Sequence, residues 1–207
     1  EPQTPEDRLD YDLTHFEVNI IGGMLRPLIS ALHAIPERFG LPMTQELLEF
    51  LAIWPGMSRS VVHTICFALQ RFWVGDSEGV IYTVLPAIET LVRNLILNVN
   101  HGMYRLQQTH APGQYPGLGA MIDLLPDLLD IGPSWHRALK TILTHPAGFN
   151  LRNRLSHGID QYADPGNAAL VIHTALWLAS LKPQQRGENR SEADGADGAI
   201  VDDAEAG

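Results

Sequence analysis

The chain has 207 residues, is 45% hydrophobic and carries a formal net charge of −10. That length suits one domain with room for a sizeable core, and a single cysteine, Cys66, excludes an internal disulfide framework and any multi-cysteine zinc site. The charge sits at the ends, −4 over residues 1–12 and −5 over 183–207, so 13–182 carry only −1 and lack the broad basic footprint of a duplex-binding protein.

Taken in chain order, residues 1–12 hold two prolines among acids and polar residues, which predicts a disordered acidic leader. From Leu13 to about His33, apolar residues including Phe16, Ile20, Met24, Leu28 and Leu32 recur at helical spacing across Gly22-Gly23 and Pro27, predicting one kinked helix or two short ones. Thr44 is expected to cap a helix through Trp54, and Ser58 or Ser60 to start another that runs to Trp73 and stops at Gly75. Glu78 to Asn98 is the longest periodic segment, apolar on a wide face, and is expected to be the central helix of a bundle. Cys66 falls in an apolar helical run and reads as a buried structural thiol.

Asn100 to Gly117 is broken by glycines and prolines and predicts a long irregular loop. Helices are expected at about 118–129 and 134–144, then a short one that Asn150 caps and Gly158 ends, and a last one from Ala168 to about Leu181. Beyond Pro183 the composition predicts a solvated acidic tail. The periodicities give an all-α fold with domain limits of 13–182, between a leader at 1–12 and a tail at 183–207. There is no basic-then-apolar signal segment and no uninterrupted apolar run of transmembrane length, which predicts a soluble, cytoplasmic protein without a membrane partner. Glu1 in place of an initiator Met suggests a fragment or a trimmed chain.

Polar chemistry is concentrated in Asn150-Leu151-Arg152-Asn153-Arg154-Leu155-Ser156-His157-Gly158. On a helix Asn153 and His157 share a face, so the amide could orient the imidazole. Arg152 lies five before His157 and points elsewhere on a straight helix. The two converge on one anion only if Arg152 sits at a helix end and reaches round, or if a second copy completes the site. Either arrangement suits a phosphate, because Arg presents a fixed fork of donors and His titrates near neutral pH. Arg154 and His145 flank the motif as candidate substrate contacts. Glu89 and Arg93, four apart on the central helix, read either as a solvated intrahelical pair or as part of the Arg152 pocket. The scattered remaining histidines form no metal-ligand pattern, and no cofactor is implied.

Arg152-Asn153-x-x-x-His157-Gly158 resembles the RNxxxHG signature of the DUF4209 family and contains the Arg-x4-His motif of the wider HEPN superfamily. Leu85-Pro86 through Arg93, Gly117-Leu118-Gly119 through Leu125 and Asn150-Leu151-Arg152-Asn153 are similar to further segments of that family. The likeness spans roughly 59–182 and is strongest over 76–182. It implies a HEPN-like helical bundle, a homodimer with the motifs facing one shared cleft, and a metal-independent endoribonuclease acting as a toxin or in antiphage defence. RNA, a second copy of the chain and an antitoxin or sensor domain are the partners implied. In that reading Arg152 neutralises the scissile phosphate, His157 transfers the proton, and Asn153 orients His157 or binds a phosphate oxygen. Ile159 stands where HEPN toxins silenced by modification carry Tyr, which argues against regulation by a paired nucleotidyltransferase. Two alternatives remain open: a non-catalytic helical interaction or dimerisation domain, and a nucleotide-binding regulator using Arg152.

Overall fold

The computed structural model describes residues 3–98, 116–156 and 164–181. They form eight helices and, among the described residues, no strand, so the all-α expectation holds. The helices are α1 (Pro5–Phe39), α2 (Thr44–Ala52), α3 (Arg59–Trp73), α4 (Ser77–Asn98), α5 (Leu118–Leu128), α6 (Pro133–Leu143), α7 (Leu151–Ser156) and α8 (Pro165–Ser180).

The middle of the bundle is shared by α4 and α8, which pack along each other. Helix α4 buries Val80, Ile81, Val84, Ile88, Leu91, Val92, Leu95 and Ile96, a stripe wide enough to meet α3, α5 and α8 together. Helix α8 is apolar nearly all round, and its small residues Gly166, Ala168, Ala169, Ala175 and Ala179 admit neighbours closely. One such approach ties the α2–α3 connection down: the Gly56 amide donates to the Ala179 carbonyl at 2.9 Å, and a Cβ on Gly56 would lie 2.8 Å from the Ala179 Cα. Only glycine fits there. The turn from α3 to α4 uses Gly75 at φ 82°, after which the Asp76 side chain accepts from the Gly79 amide. Cys66 is fully buried and its burial pushes the thiol up from its ordinary value, as a structural cysteine requires.

Two expectations about the N-terminal part need correction. The leader expected over 1–12 is largely helical, because α1 begins at Pro5. Its start is a capping box: the Thr4 hydroxyl accepts from the Asp7 amide, the Asp7 carboxylate accepts from the Thr4 amide, and Pro5 supplies the first helical φ. The acids that resembled a solvated leader, Glu6 and Asp7, lie in the first turn, where negative charge is favourable to the helix dipole. Helix α1 also continues unbroken through Gly22-Gly23, Pro27 and Pro36 for 35 residues, so it, and not α4, is the longest element. It docks on α8, α6 and α3, with the Trp73 indole N–H donating to the Leu32 carbonyl at 2.9 Å. A smaller shift affects α2, where Met43 precedes the helix and gives its amide to Glu46, while Thr44 is the first helical residue. The 100–115 part of the expected loop, and the acidic tail from 183 onward, lie outside the described residues.

Candidate anion-binding cleft

The segment leading into the motif is fixed from α6. The His145 amide donates to the Lys140 carbonyl at 2.7 Å, the Gly148 amide to the His145 carbonyl at 2.9 Å, and the Phe149 amide to the Thr141 carbonyl at 2.8 Å. Gly148 is obligatory, since a Cβ there would sit 2.2 Å from the Thr141 carbonyl oxygen. The next residue, Asn150, takes a left-handed backbone at φ 50°, a conformation that Asn tolerates better than most residues. Its carbonyl accepts from the Asn153 and Arg154 amides, which begins the six residues of α7, and buried Leu151 and Leu155 pin that helix to the core.

Asn153 uses both ends of its amide within the motif. Its nitrogen donates to the Asn150 side-chain oxygen at 2.8 Å, and its oxygen accepts from Arg152 Nη1 at 3.1 Å. Asn153 therefore orients the guanidinium of Arg152. His157 and Gly158 lie outside the described residues, so the expected Asn153–His157 relation does too.

Arg152 and Asn153 border a cleft of about 540 Å³ between the first turn of α5, the end of α6 and the loop into α7. Gly117 to Ala120 form one wall and Lys140, Thr144 and His145 another. Gly117 occupies the N-cap of α5 and provides no side-chain cap, so this wall presents the positive end of a helix whose first amides have no intrahelical acceptor. Lys140 adds a cation, held at 2.9 Å by Asp123, which also lines the cleft. Two cationic side chains and a helix N-terminus against one carboxylate leave the cleft with a net attraction for anions.

His145 reaches the cleft with its tautomer fixed. Its Nδ1 accepts from the Ala147 amide at 3.2 Å, so in the neutral ring the proton sits on Nε2, 2.9 Å from Asp10 Oδ2. Asp10 belongs to the segment expected to be a leader, yet it supports this site. Arg137 donates from Nη1 to Asp10 Oδ1 at 2.6 Å and from Nε to Glu17 at 2.8 Å, while the Thr141 hydroxyl donates to the other Glu17 oxygen. The bonds from Arg137, then those from His145, hold the Asp10 carboxyl below its ordinary range. Thus α1, through Asp10 and Glu17, braces the end of α6 that carries the motif loop.

Of the seven site residues expected from the sequence, the structure brings Arg152, Asn153 and His145 to one cleft. Glu89 and Arg93 form an intrahelical pair at 3.0 Å and are not among the residues lining it. Exposed Arg154 also lies outside that lining. Lys140, Thr144 and the α5 N-terminus were not anticipated. The only sequence signal for the last was Gly117-Leu118-Gly119, glycines at a helix start where a backbone must face a ligand. No family model, curated protein or solved structure that was compared matches this chain.

Proposed function

We propose that the chain is an endoribonuclease that binds an RNA phosphate at the Arg152 cleft and cleaves without a metal ion. The observation that carries this reading is the convergence of Arg152, Lys140 and the uncapped start of α5 on a single cleft, with Asn153 holding the guanidinium in place. The motif's resemblance to HEPN ribonucleases supplies the proton-transfer group. The RNA 2′-oxygen attacks the adjacent phosphorus, and His157 takes the hydroxyl proton or delivers one to the departing 5′-oxygen. Arg152 stabilises the charge that builds on the phosphate oxygens. The products are a 2′,3′-cyclic phosphate and a 5′-hydroxyl end.

The test is incubation of purified protein with total RNA in EDTA, with melting temperatures taken on the same preparations. Arg152→Ala and His157→Ala should each lower cleavage by roughly two to four orders of magnitude while melting falls by no more than about 4 °C. Cleavage that requires added magnesium, or that persists at the wild-type rate in both variants, would refute the assignment.

The cleft volume favours a second reading, because about 540 Å³ lies in the range of small-ligand sites. A regulator that binds a mononucleotide through Arg152 would show saturable nucleotide binding that Arg152→Ala removes, with intact RNA throughout.

A further inference from the structure

Helix α1 carries an apolar stripe that nothing among the described residues covers. Leu9, Leu13, Phe16, Ile20 and Met24 follow one another at spacings of four, three, four and four, which sets them within one sector of the helix. Phe16 is 62% exposed and Ile20 50%. This sector adjoins the one that docks on the core through Ile21, Leu25, Leu28 and Leu32, and it leads into an apolar groove. The groove lies between Met24 and Leu28 of α1 and the Trp135–Trp177 pair, whose rings stack at 4.5 Å. Leu9, Leu13 and Met24 on the stripe and Trp135 at the groove rim are exposed as well, which makes one continuous apolar face.

We propose that this face is where two copies of the chain pair, their α1 helices antiparallel about a two-fold axis near Ile20. Charge selects this occupant. Asp12 and Arg26 are both exposed and lie on the same flank of the stripe, about 40° apart around the helix. Antiparallel pairing brings like flanks together and sets Asp12 within one turn of the partner's Arg26, twice over. The same register lays Phe16 against the partner's Met24 at the mouth of the groove. Gly23 falls beside Phe16 around the helix, with open space where a Cβ would lie, so a partner helix can approach closely there. A bilayer fits less well. Although α1 is long and apolar enough to cross one by length and composition, Asp10 and Glu17 tie it to α6. The stripe also begins among Glu6, Asp7, Asp10 and Asp12, which an anionic lipid surface repels.

The pairing bears on the cleft. Asp10 braces His145 ten residues from the axis, so the two clefts lie on the order of 30 Å apart along the helices. Each is then lined by one chain, in contrast to the shared cleft expected from the sequence. The pairing does not rest on the ribonuclease reading, and mass, not RNA cleavage, decides it.

The test is light scattering coupled to size exclusion, up to about 100 µM. The wild type should run as a dimer, and Phe16→Glu and Ile20→Glu as monomers with unchanged helical circular dichroism. Asp12→Arg should weaken the dimer at least tenfold, and the double exchange Asp12→Arg/Arg26→Asp should restore it. A wild type that stays monomeric at the highest concentration overturns the proposal, as does a dimer that survives both glutamate variants. Co-flotation of the wild type with phosphatidylcholine vesicles, lost in Phe16→Glu, would assign the stripe to a membrane and overturn it as well.

Discussion

Arg152 owes its direction to one amide, so Asn153 acts on an anion through its neighbour. Asn153→Ala should weaken binding of inorganic phosphate or RNA less than Arg152→Ala does, with about 1 kcal/mol lost from stability for the broken side-chain bonds. Titration calorimetry beside thermal melting separates the two. Gly148 sets a harder limit, because the atom a Cβ would strike is a backbone carbonyl that cannot swing away. Gly148→Ala should cost about 1–3 kcal/mol in chemical denaturation and displace the motif loop with it. His173, at the apolar groove, gives a pH signature. Burial lowers its pKa from the ordinary 6.5, so as the pH falls through that value the unfolded chain takes up the proton more readily than the folded one. Its contribution is therefore complete at neutral pH and is lost on acidification. The fall in melting temperature between about pH 7.5 and 5.5 should be smaller in His173→Gln than in the wild type.

Among the elements, α1 was the least legible. Its Thr4-x-x-Asp7 start satisfies the capping-box pattern, but two prolines and five acids in twelve residues made that stretch read as solvated chain. What orders Asp10 is Arg137, 127 positions away, and no local pattern carries that information. By contrast α3, α5 and α6 were readable close to their ends, with helical periodicity bounded by Ser58, Gly75 and Gly117, whereas α8 starts at Pro165 on its Asp164 cap, three residues ahead of the expected Ala168. The site divides along the same line. Arg152 and Asn153 were visible as an unusual polar cluster, whereas the α5 wall contributes backbone amides and Lys140 contributes only by proximity. If α1 braces the site as described, removing residues 1–12 should lower the melting temperature by about 3–6 °C, since one to two kcal/mol of capping and partly solvent-screened ion pairing disappear. A disordered leader would leave it unchanged. Amide exchange should also quicken at Phe149, whose bond to Thr141 depends on the end of α6 holding its place.

For the whole molecule, the polar ends and the helical body contribute unequally. Residues 183–207, which lie outside the described residues, hold seven acids and few apolar side chains to bury. Deleting them should shift melting by less than about 1 °C. Helix α1 and its receptor, by contrast, sit at opposite ends of the chain: the acids of its first turns meet Arg137 and His145, and its later turns meet α8. During translation α1 is therefore made long before most of its seat. With more than a hundred residues still to come, the nascent chain waits on the order of ten seconds between extruding Asp10 and extruding Arg137. Throughout that wait the α1 stripe is uncovered and its core-facing side can meet α3 but not α8, a transient hydrophobic helix of the kind that ribosome-associated chaperones hold.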